Sequence, residues 1–170
     1  KSNDGTIKNA VKLHDGLIVE SVLIPTKSRT TACVSSQVGC SLDCKFCATA
    51  RLKRMRKLNR DEIYFQVVAI DKESRLYHDR QLSNIVFMGM GEPLYNYKNV
   101  MKAFRIMTDS KAMGLSHRKI TVSTAGVVPA LNRMQGEVKM PNLAISLNAA
   151  SDDVRHEVMP INQKWNLKDL

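Results

Sequence analysis

Apolar and polar residues alternate along residues 6–13 and again along 17–24, where the run reads LIVESVLI. Between them stands His14-Asp15-Gly16, a hairpin signal, so two paired strands are predicted at the start of the chain. A third strand-like run, TTACVSS, follows. Asn59 and Glu62 are then spaced as an N-cap and its N3 partner, and Ile63, Val67 and Ile70 recur at helical spacing behind them. NIVFMG (84–89), KITVS (119–123) and LAISL (143–147) read as buried strands. Helices are predicted where Val100, Ala103, Phe104 and Met107 share a face, near Ala130–Met134, and from Ser151 as N-cap.

Strand alternating with helix means βαβ units and a parallel sheet, which gathers functional groups on the loops after strand C-terminal ends. Four features fall at such ends: the cysteine loop after ACVSS, GMGEP after NIVFM, Ser123-Thr124 after KITV, and Asn148 after LAISL. One shared site is therefore expected.

All four cysteines lie between residues 33 and 47, and Cys40, Cys44 and Cys47 follow C-x3-C-x2-C. Three thiolates on one loop suit an iron–sulfur cluster with one iron left without a protein ligand, and an open coordination position is what chemistry at a metal requires. The other reading is a structural zinc site with Cys33 as fourth ligand, although only one C-x2-C pair is present. In MGMGEP (88–93), two glycines permit close backbone approach and Glu92 can accept hydrogen bonds from an ammonium. A dinucleotide fingerprint is rejected because Leu94 stands where its third glycine belongs. The histidines His14, His78, His117 and His156 show no ligand spacing, and the nine methionines read as core filling.

With 26 Lys and Arg against 16 Asp and Glu, the net charge of +10 favours polyanions and makes nucleic acid the first partner to consider. Arg51, Lys53, Arg54, Arg56, Lys57 and Arg60 concentrate that charge directly after the cysteines, as either a solvated face or a set of phosphate contacts. No apolar run approaches the roughly 20 residues of a membrane span, and the opening residues have no apolar leader. Clustered cysteines without a secretory signal point to a reducing compartment, so a cytoplasmic protein is expected.

C-x3-C-x2-C with Phe46 before the last cysteine resembles the signature of the radical S-adenosylmethionine (SAM) superfamily. Within it, CVSSQVGCSLDCKFCATA, NIVFMGMGEPLYNYKNV, TVSTAGVVPAL, LAISLNAASDDVRHEVMPIN and the opening DGTIK resemble successive blocks of the RlmN family. Those enzymes methylate C2 of adenine in 23S rRNA and tRNA. The resemblance implies an α/β fold: a partial (β/α) barrel preceded by an N-terminal β-hairpin, with the hairpin at 1–29 and the radical-SAM core at 30–170. It implies that Cys40, Cys44 and Cys47 ligate a [4Fe-4S] cluster, and that Gly91, Glu92, Ser123, Ser146, Leu147 and Asn148 bind SAM. It also implies a proton-acceptor role for Glu20, a transient disulfide for Cys33, and an electron donor such as flavodoxin. Adenine C2 is electron-poor, so a radical carried on a cysteine-bound methyl group replaces ordinary electrophilic transfer.

Three departures from the family follow. No cysteine follows Cys47, so the methyl-carrying cysteine is missing; the barrel is expected to be truncated, with its last strand an unpaired edge. Such a chain, which does not begin with Met, is expected to be a piece of something longer and not to complete methyl transfer alone. Asn148 replaces a frequent histidine, and the basic stretch 51–60 lacks the usual Gly-Phe pair. The related Cfr-type adenine-C8 methyltransferase is the alternative, and a zinc module binding RNA without catalysis is a remote third.

Overall fold

The alternating runs at the start pair as their pattern predicts. In the computed structural model, which describes residues 1–170, β1 (Ile7–Lys12) and β2 (Ile18–Pro25) are antiparallel, with Ala10 opposite Glu20 and Lys12 opposite Ile18. β3 (Thr30–Cys33) continues the antiparallel pairing, with Val22 opposite Cys33. A two-residue ribbon, β4 (Gln37–Val38) against β5 (Arg56–Lys57), then closes the neck of the cysteine loop.

Helix α1 (Arg60–His78) starts with a complete capping box. The Asn59 side chain accepts from the N–H groups of Asp61 and Glu62, and the Glu62 carboxylate accepts the Asn59 N–H. Such a cap is worth about 1 kcal/mol. The remaining elements alternate: β6 (Asn84–Phe87), α2 (Tyr97–Thr108), β7 (Ile120–Thr124), α3 (Val128–Met134), β8 (Asn142–Ile145) and α4 (Asp152–Val158). Ser151 is the N-cap of α4 as expected, but its side chain makes no capping bond. The Asp152 carboxylate instead accepts from the Leu167 N–H and the Asn162 amide.

The main sheet runs β1-β2-β3-β6-β7-β8, and β3, β6, β7 and β8 are mutually parallel. Successive parallel strands are neighbours and the winding never reverses. That is the order of a barrel wall and not of a doubly wound sheet. The wall is open, with β1 and β8 as its edges. No helix is long and apolar enough to cross a membrane.

The two faces of the sheet differ. Val19, Leu23, Ala32, Ile85, Phe87, Ile120 and Val122 are buried against Ile63, Val67 and Ile70 of α1 and Val100, Ala103, Phe104 and Met107 of α2 in one continuous core. Each such large apolar side chain contributes about 1.5–3 kcal/mol by leaving water. The registers place Glu20, Val22, Cys33, Val86, Thr121 and Ser123 on the opposite face. These side chains are only half-buried, or exposed in the case of Glu20.

Candidate functional site

Beyond their last residues, the parallel strands surround a cavity of about 330 Å³. Cys40, Cys44, Phe46 and Cys47 come to its wall from the loop after β3 and β4. Met88, Gly89, Gly91 and Glu92 come from the end of β6, Ser123, Thr124 and Ala125 from β7, and Ser146 from β8. Three of the four sequence features at strand ends thus meet in one place because the parallel wall brings its C-terminal ends to one rim; after β8 it is Ser146, not Asn148, that reaches the wall.

The loop that carries the thiols is held at both limbs. Leu58 N–H donates to Ser36 O at 3.1 Å, Met55 N–H to Val38 O at 2.9 Å, and Cys40 N–H to Leu52 O at 3.3 Å. Buried Asn96 fastens the neck, its amide donating to Ser36 O (2.8 Å) and Leu58 O (2.7 Å). All four cysteines are free thiols, so no disulfide is formed among them. Burial pushes the Cys40 thiol up, and burial followed by repulsion from Cys40 and Cys47 pushes Cys44 up to about 11. Metal binding must therefore displace protons from this loop.

Glu92 is buried and accepts three hydrogen bonds: from Leu94 N–H (2.9 Å), Thr124 Oγ1 (2.8 Å) and Ala125 N–H (2.9 Å). Desolvation nevertheless raises its pKa above the usual carboxylate range. Such a carboxylate gains most from a cationic partner in the cavity, since a buried charge without a counter-charge is costly. Gly91, at φ +92, lies against Gln37, whose amide oxygen accepts the Glu92 N–H at 2.9 Å. The Ser123 and Ser146 hydroxyls stand 3.4 Å apart across the adjoining strand ends.

The donor set fits a cuboidal iron–sulfur cluster. Three thiols share one wall, while a carboxylate and two hydroxyls face the same space. No three His, Cys, Asp or Glu side chains converge closely enough to hold a single ion. In a cluster each thiolate takes a different iron, so the ligands stand farther apart than around one zinc. Cys33, the fourth ligand of the zinc reading, is not on the cavity wall.

Several expected site residues sit elsewhere. Cys33 ends β3 on the open sheet face, where burial raises its thiol pKa and the Met88 N–H partly offsets that. Glu20 lies on the same face but outside the cavity, half exposed and paired with Lys8 at 2.6 Å. Its backbone is nevertheless tied to the site: Ser35 Oγ donates to Glu20 O and accepts the Met90 N–H at 2.9 Å. Leu147 is exposed and, like Asn148, off the wall. Asn148 adopts φ +57, a conformation asparagine tolerates better than most side chains, and turns its amide to Met159 Sδ at 3.2 Å.

The basic stretch also divides. Arg56 is not free for a phosphate, because its guanidinium binds Asp15 (2.6 Å) at the hairpin turn and Glu62 (2.7 and 2.8 Å) at the start of α1. Arg60 contacts Asp61 at 3.2 Å. Arg51, Lys53, Arg54 and Lys57 are exposed and have no ion pair. Gln37, Asn96, Ala125 and Met159 belong to the site's framework and were not among the expected residues. The nearest available signal was the polar pair Ser36-Gln37 inside an otherwise strand-like run.

The sequence pattern of the radical SAM superfamily matches residues 34–168. The chain is 65% identical over 170 residues to the "Probable dual-specificity RNA methyltransferase RlmN" of Christiangramia forsetii, covering all of this chain and 48% of that protein. It is 62% identical over 170 residues to the protein of the same name in Flavobacterium johnsoniae, covering 100% and 49%. The "Dual-specificity RNA methyltransferase RlmN" of Geotalea uraniireducens is 50% identical over 169 residues, with 99% and 47% covered. The chain thus spans about half the length of the curated relatives it matches. A crystal structure of a radical SAM methyltransferase from Sphaerobacter thermophilus superposes with a TM-score of 0.97 at 42% identity, covering 100% of this chain and 50% of that one.

Proposed function

Because the chain belongs to the radical SAM superfamily, we propose that it is the cofactor-binding core of an RNA methyltransferase acting on C2 of adenine in 23S rRNA and tRNA. The observation that carries this reading is the convergence of Cys40, Cys44, Cys47, Glu92, Ser123 and Ser146 on one cavity at the strand ends. The cofactors are a [4Fe-4S] cluster and SAM, which when bound supply one-electron cleavage of the sulfonium and thereby a carbon radical. The three thiolates hold the cluster. Glu92 takes the ammonium of the methionine part, and the Ser123 and Ser146 hydroxyls orient the remainder.

Exposed Phe46 offers an apolar face beside the last ligand and can shield the cavity from water. Leu147 and Asn148 shape the β8 exit through their backbone. Glu20 and Cys33 share the open sheet face beside the cavity, where a base for the C2 proton and a thiol for disulfide release are required. Of the charged groups, Arg51, Lys53, Arg54 and Lys57 are the candidates for RNA phosphate contact. Residues 1–29 are read as the hairpin extension and 30–170 as the core, in a cytoplasmic enzyme reduced by a small electron donor such as flavodoxin. No cysteine follows Cys47, so the methyl-carrying thiol is not supplied by residues 1–170.

The deciding experiment is anaerobic reconstitution with iron and sulfide, then metal analysis and EPR of the reduced protein with and without SAM. About four irons per chain and a signal altered by SAM are expected for an open-site cluster. One tightly held zinc and no iron would overturn the reading. Nucleoside analysis of RNA methylated by a longer chain that adds the methyl-carrying cysteine separates C2 from C8.

A further inference from the structure

Arg155 of α4 is completely buried, yet it has no carboxylate within ion-pair distance. A guanidinium taken out of water is costly unless its N–H groups are satisfied. Here they are spent on oxygens from three separate segments. Nε donates to Leu147 O (3.1 Å) after β8, and Nη2 to Ala125 O (2.7 Å) after β7. Nη1 donates to the Asn162 amide oxygen and to Trp165 O (3.4 Å) beyond α4.

Two of these anchors, and the residue that caps Arg155's own carbonyl, adjoin the cavity. The Ala125 N–H holds Glu92 Oε2, Leu147 follows Ser146, and Met159, whose N–H bonds Arg155 O at 2.7 Å, lines the wall. The cysteine loop joins the same assembly, since Lys45 N–H donates to Val158 O at 3.0 Å. Arg155 itself is not on the wall. We propose that Arg155 is a positioning residue: one planar guanidinium, tied to the loops after β7 and β8 and to the segment after α4, sets the spacing between Glu92, Ser123, Ser146 and the cluster thiols.

Lysine keeps the charge but not the fork, so it cannot span three segments. The inference rests on the cofactor reading above. Its test compares the parent with Arg155→Lys and Asn162→Ala after iron–sulfur reconstitution, measuring iron content, thermal unfolding and the SAM dissociation constant by EPR titration. Arg155→Lys is expected to keep its iron and weaken SAM binding on the order of tenfold or more, given that a misplacement of about 1 Å caused by a mutation far from the reacting centre can cost about 100-fold in function.

A purely structural role would lower the melting temperature while leaving the affinity of the folded fraction within about twofold of the parent. That result overturns the inference. If Arg155→Lys does not fold, Asn162→Ala decides, because it keeps the guanidinium and frees one N–H. Several-fold weaker SAM binding supports the inference, and parental affinity overturns it. A parent that takes up iron but does not respond to SAM would overturn the cofactor reading itself, a separate failure visible before any variant is made.

Discussion

Two glycines with nearly the same backbone angle provide a controlled test of how tightly the GMGEP turn is built. Gly16 in the hairpin turn has φ +84 and Gly91 in the GMGEP turn has φ +92. Alanine at either position must adopt a left-handed conformation, at about 1–2 kcal/mol. A Cβ at Gly16 meets nothing within 4 Å. A Cβ at Gly91 would lie 2.4 Å from Gln37 Cβ, 2.6 Å from its Cγ and 2.9 Å from its backbone nitrogen.

Gln37 cannot simply turn away. It is buried, its amide oxygen holds the Glu92 N–H, and its own N–H donates to Met90 O at 3.1 Å. Overpacking of this kind adds about 1–3 kcal/mol, and a lost hydrogen bond adds about 1 more. Gly91→Ala is therefore expected to cost about 3–6 kcal/mol, against about 1–2 for Gly16→Ala. Urea unfolding followed by far-ultraviolet circular dichroism gives both values. SAM titration of the reconstituted proteins should show loss of affinity only for Gly91→Ala, because Glu92 moves with the turn. Stabilities for the two variants within about 0.5 kcal/mol of each other would refute the packing argument and leave only the shared backbone penalty.

Glu92→Gln should retain its iron but bind SAM about 10–100-fold more weakly, since a charge-assisted hydrogen bond is worth about 1.5–3 kcal/mol; unchanged affinity would remove Glu92 from the cofactor site. Hydrogen bonding to Arg56 holds the Glu62 carboxyl below the usual range. That contribution is present above the ordinary carboxylate pKa of about 4.3 and is lost as pH falls through the lower folded value. The stability advantage of the parent over Glu62→Gln should therefore be full near about pH 7 and shrink steadily as the pH falls below about 4.3, as read by unfolding at each pH. Replacing Arg51, Lys53, Arg54 and Lys57 together by Ala should reduce the slope of log affinity for RNA against log salt by about 3–4, whereas Arg56→Met should leave it unchanged. An equal effect of Arg56→Met per charge would contradict its internal pairing.

What the sequence revealed were properties that depend on near neighbours along the chain. The hairpin follows from alternation around His14-Asp15-Gly16, and α1 from the Asn59–Glu62 spacing. The order of the parallel strands follows from regular strand–helix succession, which also predicted that the motifs would meet. What stayed hidden depends on partners distant in the chain. Arg56 looked like its basic neighbours because nothing local shows that Asp15, 41 residues away, faces it. The shared face of Glu20 and Cys33 is set by the pairing of Val22 with Cys33, a register that the hydrophobic pattern of neither strand specifies alone.

Arg155 shows the same limit in its sharpest form. In SDDVRHEVM it occupies what reads as the polar side of a short helix, where an arginine normally stays in water. Its burial depends on backbone carbonyls at Ala125 and Leu147, which sequence composition does not register at all. The same holds for Asn148: the residue type reads as a departure from a frequent histidine, while the backbone at φ +57 and the contact with Met159 give asparagine a conformational reason to be there. At this site the motifs identify most of the groups that line the cavity. The spacing of those groups is instead set by peptide units that any residue could supply, held by the few polar side chains able to reach them.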